Sequence, residues 1–476
     1  QDMCYELELG QIANDCKTKN RTQRKNEIEI AACGMYGKLS NSKYGAFLIE
    51  HDTKAQEITY GGNQSVDIVI PVYNGYEFLP KLFEGIRRTA VQYRLFIVDD
   101  CSPDERIYPY LESIKEANTV LIKNEKNVGF VMSVNAALAQ TENDVVLLNT
   151  DVELPPFWLE RLMNPIFTDD RVATATPFTN SGTICSFPCI GTDNPIMEGL
   201  SVDEMDKAFQ TIEPIYTVMP TGVGFCMAMS RQAINQIGLL DEQAFEKGYG
   251  EENDWCQRAI AAGYKNVMVE NLFAYHKHGG SFLSDEKKRL IERNQKILQE
   301  RYPRYRYEVA EYFSQDPLKY LRNWIALNIL SAATKKSPRL IWNHGIGGGA
   351  DAYIRKEIER DTKLGKQSIL AWYDVYSGYY IAEYCYKNYQ LRFFAREIDS
   401  LTRLFDLTGV DEVVINELVS YPDIIHTLEL ILQIKEKHGS QLVILMHDFF
   451  AVCPCCTLLN AQDTFCNVPQ NLLVCN

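Results

Sequence analysis

From Val66 onward, short runs rich in β-branched residues alternate with stretches whose apolar residues recur at helical spacing. The runs Val66–Tyr73, Arg94–Asp100, Thr119–Lys123, Asp144–Asn149 and Val172–Thr176 have the length and composition of buried strands. Between the first two, Phe78, Leu79, Leu82, Phe83 and Ile86 trace one helical face, and between the third and fourth so do Val131, Val134 and Leu138. Strand, helix, strand in repetition predicts a parallel sheet with helices on both faces.

The texture changes around Lys287–Leu298, where a charged amphipathic helix is expected. Leu290, Ile291, Ile297 and Leu298 form its apolar stripe, Asp285 and Glu286 its acidic first turn, and Pro303 its stop. A helical stretch over Pro317–Leu330 leads through Lys335-Lys336-Ser337-Pro338 into a second α/β run. Its expected strands are Arg339–Trp342, Ser368–Tyr373, Glu412–Ile415 and Leu442–Met446, with helices such as Ala350–Asp361 and Ile424–Glu436 between them. The pattern thus divides the chain into a connector (1–65), an α/β domain (66–285), a helical connector (286–335) and a second α/β domain (336–476).

Composition narrows the function classes. The chain has 476 residues, 46% apolar and 23% charged, which is the balance of a folded globular protein. A formal charge of -15 disfavours broad contact with nucleic-acid phosphate or an anionic bilayer, so an anionic ligand has to be held locally. The basic cluster Lys17, Lys19, Arg21, Arg24 and Lys25 reads as a solvated helix face or connector. No apolar run is long enough to span a bilayer and no leader pattern opens the chain, so a cytoplasmic protein is expected, with peripheral contact at the inner face of the membrane left open. The 14 cysteines of so long a chain then read as reduced thiols, and the sequons at Asn20 and Asn63 as chance matches. Gln1 in place of an initiator Met suggests a processed or trimmed chain whose natural length is greater.

In α/β sheets ligands sit beyond the carboxyl ends of parallel strands, so polar residues that end apolar runs are the ones to weigh. Three ends stand out: Pro71-Val72-Tyr73-Asn74-Gly75, Asp99-Asp100-Cys101-Ser102 and Asn149-Thr150-Asp151-Val152-Glu153. An aromatic ring stacks on a base, a carboxylate accepts from a base imino group, and a short acidic cluster holds a hard cation against a diphosphate. Singly, these are a strand-end tyrosine, a turn-capping Asp pair and an Asx turn. Together they suit a sugar nucleotide.

The series resembles the family 2 glycosyltransferases. It runs Val66-Asp67-Ile68-Val69-Ile70-Pro71-Val72-Tyr73-Asn74-Gly75, Val98-Asp99-Asp100-Cys101-Ser102-Pro103-Asp104, Asn127-Val128-Gly129-Phe130 with Asn135, and Leu147-Leu148-Asn149-Thr150-Asp151-Val152-Glu153. It continues through Pro220-Thr221-Gly222-Val223-Gly224, Gly248-Tyr249-Gly250-Glu251-Glu252-Asn253-Asp254-Trp255 and His276-Lys277-His278-Gly279-Gly280-Ser281-Phe282. The resemblance covers about residues 66–285 and implies an α/β fold of the GT-A type, a nucleoside-diphosphate sugar donor (UDP- or dTDP-linked), and a divalent Mn2+ or Mg2+ cofactor. It places Pro71, Tyr73, Asp100, Asn149 and Thr150 around the nucleotide. Asp151 matches the last acid of the family's D-x-D motif, and Glu153 and His276 join it as metal candidates. Asn149 stands where the first Asp is usual, as in members resembling bacterial rhamnosyltransferases, and this lowers the local negative charge.

By match to the family's E-D-x-D pattern, Glu252 is the base that takes the acceptor proton, with Glu251 and Asp254 flanking it. The choice between Glu251 and Glu252 stays open, and acids at a helix start also serve as caps. His276 reads either as a satisfied strand-end histidine or as a metal ligand. Lys277 or His278, with the amides of Gly279 and Gly280, is expected to neutralise the diphosphate. The implied reaction is an inverting, metal-dependent hexosyl transfer to a glycan or lipid-linked acceptor in surface polysaccharide biosynthesis.

In the second domain, Gly345-Ile346-Gly347-Gly348-Gly349-Ala350 follows a strand, opens a helix and satisfies a loose G-x-G-x-x-A pattern, with Asp374 ending the next strand. That admits an NAD-dependent oxidoreductase. The Gly run, His447-Asp448 and Cys453-Pro454 look more like the N-terminal, Rossmann-like half of a family 4 glycosyltransferase of GT-B type, whose other half is missing before Asn476. Cys453, Cys455, Cys456, Cys466 and Cys475 lack paired C-x-x-C zinc spacing, and thiols are the simpler reading. A non-catalytic sugar-nucleotide or glycan-binding scaffold is the competing class, because Asn149 weakens the metal motif.

Overall fold

The computed structural model describes residues 64–246, 248–277, 285–334, 336–447 and 464–465. The N-terminal basic cluster, His278 through Phe282, Asp448 and the Cys453–Cys475 group lie outside the described residues. The chain divides into two compact units between Arg322 and Asn323.

The first unit opens β1 (Ser65–Val72), α1 (Leu79–Ile86), β2 (Gln92–Asp99), α2 (Ile107–Ser113), β3 (Thr119–Lys123), α3 (Phe130–Leu138) and β4 (Asp144–Leu148). It continues β5 (Val152–Glu153), α4 (Trp158–Thr168), β6 (Val172–Phe178), α5 (Val202–Phe209), β7 (Val218–Met219) and β8 (Cys226–Met229). Next come α6 (Arg231–Ile237), α7 (Glu242–Phe245), α8 (Glu251–Ala261), β9 (Lys265–Phe273) and β10 (Tyr275–His276), then α9 (Asp285–Arg301) and α10 (Tyr305–Gln315). The α/β class is as expected, and the strand at Thr119–Lys123 has the expected bounds.

The main sheet has the order β3-β2-β1-β4-β8-β6-β9-β7. The five expected strands, β1, β2, β3, β4 and β6, run parallel to one another, and the sheet is mixed because of two unexpected ones: β8 runs antiparallel to both β4 and β6, and β7 antiparallel to β9. The reason β8 escaped the sequence pattern is compositional. Cys226-Met227-Ala228-Met229 has no β-branched residue, yet all four side chains are buried between β4 and β6. From β1 the chain adds β2 and β3 on one side and then returns to place β4 on the other. That reversal opens a crevice beyond the carboxyl ends of β1 and β4, the usual ligand position in such sheets.

Helices cover the sheet through apolar faces. Val131 and Val134 of α3 and Trp255 and Ala259 of α8 are fully buried in a core that includes Val69, Val145, Met227 and Leu298. At about 25 cal/mol per Å2 of apolar surface, each such side chain contributes on the order of 2 kcal/mol. Asp67 is a buried charge in the middle of β1, but its carboxylate takes both Arg94 (2.8 Å each) and the amides of Glu142 and Asn143, so the opposite ends of the strands are closed by satisfied polar groups.

The second unit begins within α11 (Lys319–Ala333). It proceeds β11 (Arg339–Trp342), α12 (Gly349–Lys363), β12 (Ser368–Asp374), β13 (Tyr379–Tyr386), β14 (Tyr389–Ala395), α13 (Thr402–Thr408), β15 (Glu412–Ile415), α14 (Ile424–His438) and β16 (Gln441–Ile444). The order is β14-β13-β12-β11-β15-β16, with β12, β11, β15 and β16 parallel. The β13–β14 hairpin, antiparallel to β12, was not among the expected elements. It turns at Lys387, whose φ of 49° suits a tight hairpin, and Arg392 bridges to Glu383 directly opposite it. Among the described residues no helix is long and apolar enough to cross a membrane.

Candidate active site

The nucleotide candidates gather at the crevice. Pro71 lies in β1, paired with Val98 of β2, and Tyr73 follows the strand with half its surface exposed. Asn74 and Gly75 then turn with φ of 62° and 76°, and a Cβ on Gly75 would sit 3.9 Å from the Thr150 hydroxyl and 3.1 Å from the Phe78 ring. Glycine therefore allows the β1 loop to approach the β4 loop. Asn149 is fixed by its amide, which donates to the Phe225 carbonyl at 2.8 Å.

Asp100 is more occupied than the sequence suggests. Its Oδ1 accepts from Asn124 and the Val128 amide at 2.8 Å, and its Oδ2 from the Gly129 amide at 2.9 Å. The carboxylate pins the loop that leads into α3, and any base donor has to share Oδ2.

Asp151 and His276 meet. The imidazole Nε2 is 3.3 Å from Asp151 Oδ1, while Nδ1 faces the Ser181 carbonyl at 3.2 Å. A carbonyl only accepts, so Nδ1 carries a proton and Nε2 faces the carboxylate. Imidazole with carboxylate is a donor set that suits a hard divalent ion. Glu153 is not brought to them. It pairs with Tyr275 in the β5–β10 ribbon, whereas His276 pairs with Val152, and Lys81 holds its carboxylate at 2.5 Å. Among the described residues no three His, Cys, Asp or Glu side chains converge, so the expected trio reduces to a pair.

The acidic run sits at the start of α8, after an arch in which Gly248, Tyr249 and Gly250 have φ of 105°, 72° and 120°. The arch is held by Asn294 of α9, whose amide donates to the Gly248 and Tyr249 carbonyls at 2.8 and 3.1 Å. Glu251 and Glu252 lie side by side, both buried. Burial, and then the neighbouring Glu252 carboxylate, push Glu251 well above the ordinary carboxylate range, and its Oε2 has no hydrogen-bond partner. Asp254 is separated from this pair by its partners. It takes Arg258 at 2.9 Å, Arg301 at 2.8 Å and the Tyr302 hydroxyl at 2.9 Å, and burial together with that bond lifts Tyr302 to about 12. Asp254 therefore locks α8 to α9.

One loop joins the two centres. Thr221 accepts from Asn253 of α8 at 2.9 Å, Gly224 lies against the Glu252 side chain, and Phe225 stacks on the His276 ring with centroids 5.1 Å apart. Phe225 also carries the carbonyl that holds Asn149. Phe225, Asn180, Ser181 and Asn294 were not among the expected site residues. Asn180 and Ser181 were findable by the strand-end rule, because β6 runs to Phe178 rather than Thr176. Phe225 and Asn294 have no such signal.

In the second unit the Gly345–Gly349 loop does connect β11 to α12, with Gly347 and Gly348 at φ of 79° and 100°. Asp374, however, accepts from Ser377 at 2.5 Å in the turn of the β12–β13 hairpin. In a dinucleotide fingerprint that acid is the one that hydrogen-bonds the ribose, and here it is taken up by the turn.

Residues 67–238 match the family model for Glycosyl transferase family 2. The chain is 31% identical over 112 residues to an undecaprenyl-phosphate 4-deoxy-4-formamido-L-arabinose transferase of Proteus mirabilis (strain HI4320), covering 22% of this chain and 34% of that protein. It is 25% identical over 239 residues to a chondroitin synthase of Escherichia coli, covering 44% of this chain and 34% of that protein. The chain thus spans about a third of the length of these curated relatives. Among solved structures it is similar to the mannosyltransferase PcManGT from Pyrobaculum calidifontis in complex with GDP-Man and Mn2+, with a TM-score of 0.37, 15% identity, and coverage of 70% of this chain and 90% of that one. A second is GalNAc-T7 with UDP, GalNAc and Mn2+, with a TM-score of 0.37, 17% identity, and coverage of 58% and 59%.

Proposed function

We propose that this chain, which carries a glycosyl transferase family 2 domain, is an inverting hexosyltransferase that moves a sugar from a nucleoside-diphosphate sugar to a hydroxyl of a glycan or lipid-linked acceptor in surface polysaccharide biosynthesis. The observation that carries the reading is the Thr221–Phe225 loop, which bonds Asn253 beside Glu252 and stacks on His276, and so relates a carboxyl pair to a cation-suited pair. The similarity to an undecaprenyl-phosphate 4-deoxy-4-formamido-L-arabinose transferase supports a lipid-linked acceptor and peripheral membrane contact.

Tyr73 stacks on the base, Pro71 borders it, and Asn149 and Thr150 line the crevice. Asp151 and His276 hold a divalent ion, Mn2+ or Mg2+, which when bound supplies positive charge against the departing diphosphate. Glu252 accepts the acceptor's hydroxyl proton as the acceptor oxygen bonds to the anomeric carbon. The bond from that carbon to phosphate breaks on the opposite face, and its electron pair leaves with the nucleoside diphosphate. Glu251 is raised by burial and by its neighbour, which favours Glu252 as the base.

The second unit we read as the Rossmann-like half of a GT-B transferase, with domain bounds of 66–285, 286–335 and 336–476. A donor screen over UDP- and dTDP-sugars with and without Mn2+ tests the main reading. Divalent-dependent release of nucleoside diphosphate from a donor is expected. Binding without turnover across all donors would instead favour a sugar-nucleotide-binding scaffold, the reading that Asn149 in place of an acid supports.

A further inference from the structure

The His276 side chain is aimed by a segment that no motif marks. Asn180, nine-tenths buried, faces the His276 backbone with both ends of its amide: its Oδ1 accepts from the His276 N–H at 2.8 Å and its Nδ2 donates to the His276 carbonyl at 3.0 Å. It therefore replaces one step of a strand ladder with a side chain, fixing the position of residue 276 along β10. The next residue, Ser181, supplies the carbonyl that fixes the ring's tautomer.

The segment itself is anchored. Asn194 returns to Asn180, its amide N–H donating to the Asn180 carbonyl at 2.9 Å and its side chain to the Asn180, Cys189 and Thr192 carbonyls. Phe187 packs among Phe178, Phe209 and Phe273 with centroids 6.0, 4.9 and 6.2 Å away. A ligand histidine depends on such support: its partners set the ring's orientation and basicity, and their loss typically weakens metal affinity about 10–100-fold.

We infer that Asn180 is a positioning residue for the Asp151–His276 cation site, setting metal affinity through the His276 backbone and, with Ser181, the Nδ1–H tautomer. The inference rests on the proposed reading of Asp151 and His276 as the metal pair. The test is a Mn2+ titration followed by electron paramagnetic resonance, with UDP present, on the full chain and its His276→Ala and Asn180→Ala variants.

The wild type is expected to bind, His276→Ala to lose binding, and Asn180→Ala to bind about 10–100-fold more weakly at unchanged stoichiometry of the folded protein. Mere destabilisation would lower the stoichiometry and leave the midpoint alone, and that result, or a wild-type midpoint in Asn180→Ala, would overturn the inference. Absence of Mn2+ binding by the wild type would overturn the metal-pair reading first and this inference with it. A measurement free of variants is the nitrogen chemical shifts of the His276 ring in metal-free protein: the Nδ1–H tautomer is expected, and the Nε2–H tautomer would overturn the role given to the segment.

Discussion

The strand ends of the two units differ in how completely their polar groups satisfy one another. In the second unit side chains beyond the strand ends form a closed chain, although among the described residues the Trp342 Nε1 at the end of β11 has no partner: Asn343 donates to Asp351 at 2.8 Å, Asn416 to Asn343 at 2.7 Å, and His447 to Asn416 at 2.8 Å. In the first unit the Asp151–His276 contact lies beyond the strand ends, and the start of α8 carries a buried Glu251 whose Oε2 has no partner. A buried polar atom without a partner costs about 1–3 kcal/mol, so the first arrangement is retained at the expense of stability. The contrast teaches that polar residues beyond strand ends are weighed by the partners they already hold, not by residue type alone.

The largest expected effect breaks the open site. Asp151→Asn removes the charge that faces His276, and turnover should fall about 10²–10³-fold at fixed Mn2+, as measured by nucleoside-diphosphate release. Tyr73→Ala removes the exposed ring at the β1 end and should raise the donor KM by an amount corresponding to about 1–3 kcal/mol of lost stacking, with kcat little changed.

The closed chain behaves differently. Asn343→Ala removes the hydrogen bonds to Asp351 and Asn416, which keep Arg355 and the Ala350 carbonyl as partners, and should cost about 0.5–1.5 kcal/mol in chemical denaturation, while sugar transfer per folded molecule stays at the wild-type level. A comparable fall in transfer would erase the distinction between the units.

The smallest effect concerns pH. The folded-state value of Glu251 is raised above its ordinary 4.5. The stability tied to its protonated form is therefore full below that ordinary value and is lost as pH rises through the raised one. Glu251→Gln should flatten this decline, so that denaturation midpoints of variant and wild type diverge toward alkaline pH. Parallel curves would show that Glu251 is not held neutral.

Much of the first unit was legible because its strands are apolar runs that stop abruptly at polar residues, as at Tyr73 and Asn149. The order of the sheet's middle was not, since Cys226–Met229 is a strand by burial rather than by residue type. The β13–β14 hairpin had a signal in its alternating Tyr and Phe around Lys387-Asn388, but it falls where strand–helix repetition leads one to expect a helix. Carboxylates were easy to find and hard to rank. Asp254 and Asp100 look as available as Glu252 in the sequence, but the first is engaged by Arg301 and Tyr302 from a distant helix, and the second by loop amides. Glu153 is lost to the metal pair because Val152, not Glu153, is the residue opposite His276 and because Lys81 holds its carboxylate.

The central claim is that Glu252, rather than Glu251, takes the acceptor proton. The most direct measurement is the rate of sugar transfer by Glu252→Gln and Glu251→Gln, each compared with wild type at saturating donor and Mn2+. Loss of about 10²–10⁴-fold in Glu252→Gln, with transfer retained in Glu251→Gln, is the predicted result. Normal transfer in Glu252→Gln with loss in Glu251→Gln would contradict it.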